Sequence, residues 1–159
     1  MAAALILVLA LASFVWMALP GNSDAALRSE AEAKAAHLIV AHQSATDSVR
    51  VSGTPGPGQL PDGFVVYPDW FAATGDFTSG SNGATVVATW MSDEPRLWGE
   101  VAAALGRRKS GKAAIGVIDR SGGAAAVVAN FEGRPVRFTG LGASVQGAPD
   151  GAPAVVTMD

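Results

Sequence analysis

The stretch most suggestive of chemistry is Gly106-Arg107-Arg108-Lys109-Ser110-Gly111-Lys112, which fits the first seven positions of the phosphate-binding pattern G-x-x-x-x-G-K. In that loop, backbone amides cradle the phosphates, the lysine neutralises them and a following Ser or Thr holds magnesium. Ala113 occupies the Ser/Thr position here. The surroundings are also inverted: a phosphate loop leaves a strand and opens a helix whose N-terminus meets the anion, whereas a helix runs into this segment and a strand runs out. Nucleotide is therefore not expected. Arg107, Arg108, Lys109 and Lys112 still form a positive patch in a chain of net charge -3. The patch suits either a solvated helix end, where cations favour the negative pole of the dipole, or docking to an acidic partner or lipid headgroups.

The remaining candidates are weaker. His37 and His42 lie five residues apart, about 140° around a helix, so one face cannot offer both to a metal; helix packing or a solvated edge is expected instead. His42, Ser44 and Asp47 hold the residue types of a hydrolase triad, but no sharp nucleophile turn or oxyanion hole accompanies them. Asp62, Asp69 and Asp76 are separated by loops and aromatics and read as turn residues rather than a calcium cluster. With no Cys, thiolate chemistry and disulfides are excluded. Trp70, Phe71, Trp90 and Trp98 are core aromatics by default, and any of Trp70, Phe71 and Trp98 left exposed would mark a docking surface. No catalytic, cofactor or metal residue is assigned, and the acidic charge balance gives no attraction to nucleic acid.

These residues need elements to hold them. Ser23 is a good N-cap, and the Ala-rich segment after it carries an apolar stripe of Leu27, Ala31, Ala35, Leu38 and Ala41 or His42 at helical spacing. A stripe this narrow favours packing within the chain over a partner seam. Gly53-Thr54-Pro55-Gly56-Pro57-Gly58 ends the helix. Beyond it, Phe64 to Phe71 is aromatic-rich, Gly80 to Gly83 reads as a turn, and Ala84 to Met91 has the β-branched content of a strand. Pro95 sits near the start of a helix over Arg96 to Leu105, with Leu97, Val101, Ala104 and Leu105 as its buried face. Lys112 to Asp119 and Ala124 to Phe131 form two strands joined by Arg120-Ser121-Gly122-Gly123, and Val136 to Phe138 and Ala154 to Thr157 are shorter strands. Hairpins in place of helical crossovers make the fold α+β, one helix on a mainly antiparallel sheet.

No side chain among the first nineteen residues is ionisable, and Ala2 to Leu19 is apolar apart from Ser13. Eighteen helical residues reach roughly 27 Å, close to the hydrocarbon thickness of a bilayer. The run is long for a signal peptide, and the best cleavage site, Ser23-Asp24-Ala25, has an acidic centre. A retained single-pass anchor is expected over residues 1–20, followed by a helical connector over 21–52, a Gly/Pro linker over 53–62 and an α+β domain over 63–159 that folds without the connector. The bulk of the chain is expected on the exported side of the membrane.

The order of apolar N-terminal helix, Ala-rich helical connector, the Ala41 to Val49 segment AHQSATDSV, a Gly/Pro passage ending in Gly63-Phe64-Val65-Val66-Tyr67-Pro68-Asp69-Trp70, and a terminal strand near Gly151 to Thr157 resembles the PilM family of type IVB and conjugative thin pilus systems. The helix Arg96 to Gly106, Ser110 and the strand containing Ile115-Gly116 fit the middle of that family. The resemblance implies a small, non-catalytic inner-membrane component of a pilus assembly apparatus, its domain in the periplasm and its partners other assembly proteins or pilins. It brings no catalytic residue. A pilin or minor pilin is the alternative, since pilins too join an apolar helix to an α+β head. They resemble one another, however, in a basic leader and a glutamate at the fifth mature position, and no acidic residue precedes Asp24. A membrane-tethered enzyme is a third possibility, without a nucleophile, metal cluster or carboxylate pair to support it.

Overall fold

The computed structural model describes residues 20–55, 77–83, 85–108 and 112–158. Helix α1 (Pro20–Ser52) is followed by strands β1 (Phe77–Ser81) and β2 (Val86–Met91), a 3-10 turn (Pro95–Leu97) and helix α2 (Trp98–Arg107). Strands β3 (Ala114–Asp119), β4 (Ala126–Phe131) and β5 (Arg134–Phe138), the single-turn helix α3 (Ala143–Gln146) and strand β6 (Pro153–Met158) complete the chain. The strands form one sheet in the order β1-β2-β6-β3-β4-β5, antiparallel at every pairing. The α+β architecture read from sequence is thus observed, with helices laid on an antiparallel sheet.

Alternation along the strands gives the sheet two apolar faces. One carries Ala88, Trp90, Val156, Ile118, Val127 and Phe138, and is covered by the Leu141–Ala152 segment through Leu141, Val145 and Ala148. Arg120 holds that cover down, its guanidinium donating to the carbonyls of Gln146 at 2.9 Å and Ala148 at 2.7 Å. The other face carries Phe77, Met91 and Val155 and receives both long helices. Ala31, Ala35, Leu38 and Ala41 of α1 are completely buried there beside Leu97, Val101, Ala104 and Leu105. Ala45 and Val49 extend the same stripe onto Val87. Small residues at these positions let the helix axis approach the strands closely, so the stripe packs within the chain as expected.

This packing changes the expected organisation. The segment 21–52 is not a connector detached from the domain; it supplies much of one core layer. The apolar sheet face needs a cover, and α2 alone, ten residues long, leaves β1 and β2 to α1. Other differences are local. The turn expected at Gly80 starts later, because Gly80 and Ser81 belong to β1, where a Cβ on Gly80 would lie 2.4 Å from the carbonyl oxygen of Leu141. Asn82 makes the turn instead, its side-chain oxygen accepting from the Val86 amide at 3.1 Å. The β4–β5 hairpin turns on Glu132 and Gly133, both at positive φ, as a two-residue primed turn requires.

Among the described residues, no helix is long and apolar enough to cross a membrane. The apolar run over 1–19, the linker from Gly56 onward and the Phe64 to Phe71 stretch lie outside the described residues.

Candidate functional site

Helix α1 presents a second stripe beside its buried alanines: Ile39, His42, Gln43, Thr46, Asp47 and Arg50 recur at intervals of three or four and so share one side. Opposite them stand Val155 and Thr157 of β6 and the residues that lead into β3, Lys112 and Ala113. Between these walls is an open cleft of about 410 Å³. Its floor is apolar, from Ile39, Ala113 and Val155, and its walls carry two cations, one carboxylate, an amide and hydroxyls.

His42 forms the inner wall. It is 3% exposed, and both ring nitrogens meet threonine hydroxyls, Nδ1 with Thr89 Oγ1 at 3.2 Å and Nε2 with Thr157 Oγ1 at 2.5 Å. Thr89 Oγ1 is in turn 2.8 Å from Ser79 Oγ, its cross-strand neighbour. A polar thread therefore crosses β1, β2 and β6 under the helix. Burial pushes the imidazole down to about 4, which keeps it neutral and lets one nitrogen donate while the other accepts. Thr46 is occupied locally, its hydroxyl donating to the His42 carbonyl at 2.9 Å.

This arrangement settles the fate of the sequence candidates within reach. His42 engages threonines rather than Ser44 or Asp47, so the three do not assemble a triad. Asp47 faces Arg50 at 3.8 Å on its own helix. His37 is buried, its ring edge-on to Phe77, in the packing role expected of it. Among the described residues, no group of three His, Asp or Glu side chains could hold a metal.

The basic patch is split by the fold. Arg107 donates to Glu32 Oε1 from Nε at 3.0 Å and from Nη2 at 2.7 Å, and Arg108 Nε donates to Glu32 Oε2 at 3.2 Å. The Arg107 guanidinium foremost, with Arg108 beside it, holds the Glu32 carboxyl below its ordinary range. The pair thus clips the end of α2 to α1. Lys112 is exposed and turns to the cleft instead. Trp98 is half-buried, its Nε1 donating to the Asp93 carbonyl at 2.8 Å, and its ring packs on both apolar clusters. Lys109, Trp70, Phe71, Asp62, Asp69 and Asp76 lie outside the described residues. Sequence reasoning missed Arg50 and Thr157 as cleft residues; the only local signal was Arg50 at helical spacing from His42, Thr46 and Asp47. No known protein family, characterised protein or solved structure matches the chain.

Proposed function

We propose that this protein is a non-catalytic component of a type IVB or conjugative pilus assembly apparatus in the bacterial inner membrane, a scaffold or docking protein held by its apolar N-terminal run. The observation that carries the reading is the course of α1. This helix of 33 residues begins at Pro20, immediately after that run. Ser23 to Ala26 are exposed, and from Ala31 onward its stripe is embedded in the sheet. One continuous rod, about 50 Å long, therefore leads from the end of the apolar segment into the core of the head. A head fixed in this way takes its position from the anchor, which suits a protein whose task is to hold partners in place.

The same observation favours the alternative of a pilin or minor pilin, a long helix laid on an antiparallel sheet. Two measurements separate the readings. Deleting the gene should abolish piliation and restoring it should rescue the fibres, while the protein stays in the membrane fraction with its N-terminus intact. Recovery in sheared fibres would favour the pilin, and normal piliation in the deletion strain would remove both.

A further inference from the structure

We propose that Asn82 is a self-modifying site: intramolecular attack by the Gly83 nitrogen removes its side-chain amide, so that the β1–β2 turn changes from asparagine to aspartate and isoaspartate as the protein ages. The reaction needs only water and is independent of the assembly role proposed above.

Asparagine is among the chemically labile side chains, and a following glycine leaves the attacking nitrogen uncrowded. The Gly83 amide gives its proton to hydroxide and its nitrogen attacks Asn82 Cγ. The N–Cγ bond forms, the Cγ–Nδ2 bond breaks, and ammonia leaves with a proton taken from water, closing a succinimide. Water then opens the ring at either carbonyl. Opening at Cγ restores the main chain with aspartate at position 82. Opening at the main-chain carbonyl leaves Gly83 joined through Cγ, which is isoaspartate. One water is consumed and one ammonia released, and nothing is oxidised or reduced.

Three features of the turn favour this attack. Asn82 and Gly83 are both exposed at the tip of the hairpin, and a Cβ built on Gly83 would touch nothing within 4 Å, so neither the departing ammonia nor the entering water is screened. The Gly83 amide meets no acceptor among the described residues, so its proton is open to hydroxide. The Val86 amide donates to Asn82 Oδ1 at 3.1 Å, the oxygen on which negative charge gathers during the attack, and that bond strengthens as the charge develops.

Among the described residues no other pair combines these features. Asn22 precedes Ser23 inside α1 and Asn130 precedes Phe131 inside β4, so a side chain on the following residue crowds the nitrogen. Asp150-Gly151 has the glycine, but there the Gly151 amide donates to the Ile118 carbonyl at 2.9 Å and Asp150 Oδ1 accepts from the Arg120 amide at 2.9 Å, so both reacting groups are occupied. At Asn82 each event adds one negative charge to a chain of net charge -3. The aspartate product keeps an acceptor for the Val86 amide. Isoaspartate instead inserts one carbon into the turn and disturbs the pairing of Ser81 with Val87, on which the edge strand β1 depends.

The test incubates the full-length chain in non-ionic detergent micelles at neutral and at mildly alkaline pH, beside a synthetic peptide with the sequence of residues 81–85, and maps the products by mass spectrometry. The fragment containing Asn82 should become heavier by the exchange of NH2 for OH and split into two chromatographic forms. Only the isoaspartyl form should accept a labelled methyl group from protein isoaspartyl methyltransferase. Conversion should keep pace with the synthetic peptide and be faster at the higher pH. Asn82→Gln should lose both signals, with circular dichroism confirming that its fold is unchanged, and fragments holding Asn22, Asn130 and Asp150 should stay single. An unmodified Asn82 after the synthetic peptide has converted overturns the proposal. So does conversion that occurs only in urea, or conversion at Asn22, Asn130 or Asp150 as fast as at Asn82.

Discussion

Acidification should destabilise this protein through the buried His42. His42 sits neutral between Thr89 and Thr157, and burial depresses it from 6.5 to about 4. Between those values the unfolded chain takes up a proton that the native state refuses, so stability falls as pH falls through this window and levels off near pH 4. Lowering the pH from 8 to 5 should cost about 2 kcal/mol, since the unfolded imidazole is protonated over roughly 1.5 of those units at about 1.36 kcal/mol each. Asp47, Arg50 and Lys112 are the charged side chains that share the cleft with it. Glu32 and Asp119 are held low, by the Arg107 guanidinium and by the Ser121 amide respectively, so their contributions disappear only at more acidic pH. Urea unfolding of the full-length protein, followed by tryptophan fluorescence at pH 8 and pH 5, reads the loss, and His42→Gln supplies the reference. Glutamine can still bridge the two threonines but does not titrate, so the variant should start less stable and lose far less on acidification. Equal losses in wild type and variant would refute the reasoning, as would a His42 ring resonance that titrates near 6.5 in the folded protein.

Leu38→Ala should destabilise by about 2–5 kcal/mol in the same urea assay, because its side chain is wholly enclosed between α1, α2 and the sheet. Gly80→Ala should cost about 1–3 kcal/mol, since its new methyl would meet the Leu141 carbonyl and shift the cover over the sheet. A chain starting at residue 61 should aggregate or lack a cooperative transition by circular dichroism, while one starting at Pro20 should unfold as a unit, because removal of α1 bares Met91, Val155 and Phe77. Glu32→Gln should lower the melting temperature slightly, with the difference vanishing in molar salt, as expected of an exposed ion-pair cluster.

Elements whose signal is local were legible in the sequence. Val86–Met91, Ala114–Asp119 and Ala126–Phe131 are continuous or alternating apolar runs of strand length, and each was expected within two residues of its observed bounds. The stripe Ala31, Ala35, Leu38, Ala41 is likewise periodic, and its burial was expected. Strand β1 was not, because Phe-Thr-Ser-Gly-Ser has the composition of a turn; it is a strand only through its register with β2. The site was hidden for a similar reason. Arg50, His42, Lys112 and Thr157 converge through the sheet order, which no local window contains. The Arg107–Glu32 clip, 75 residues apart, likewise could not be told from a free basic helix end.

The last strand of the sequence, β6, lies at the centre of the sheet, between β2 and β3. Until residues 153–158 are available, β1-β2 and β3-β4-β5 are two separate ribbons with no shared backbone pairing, each exposing the edge that β6 will occupy. Closure of the sheet therefore waits on β6, and a chain without it presents two open edges suited to capture by another chain. A ribosome-stalled or prematurely terminated product that ends before Pro153 would be a substrate for quality-control proteases rather than a partly working head. The native state is correspondingly protected once formed, because both inner edges are then sealed and unzipping must begin at β1 or β5.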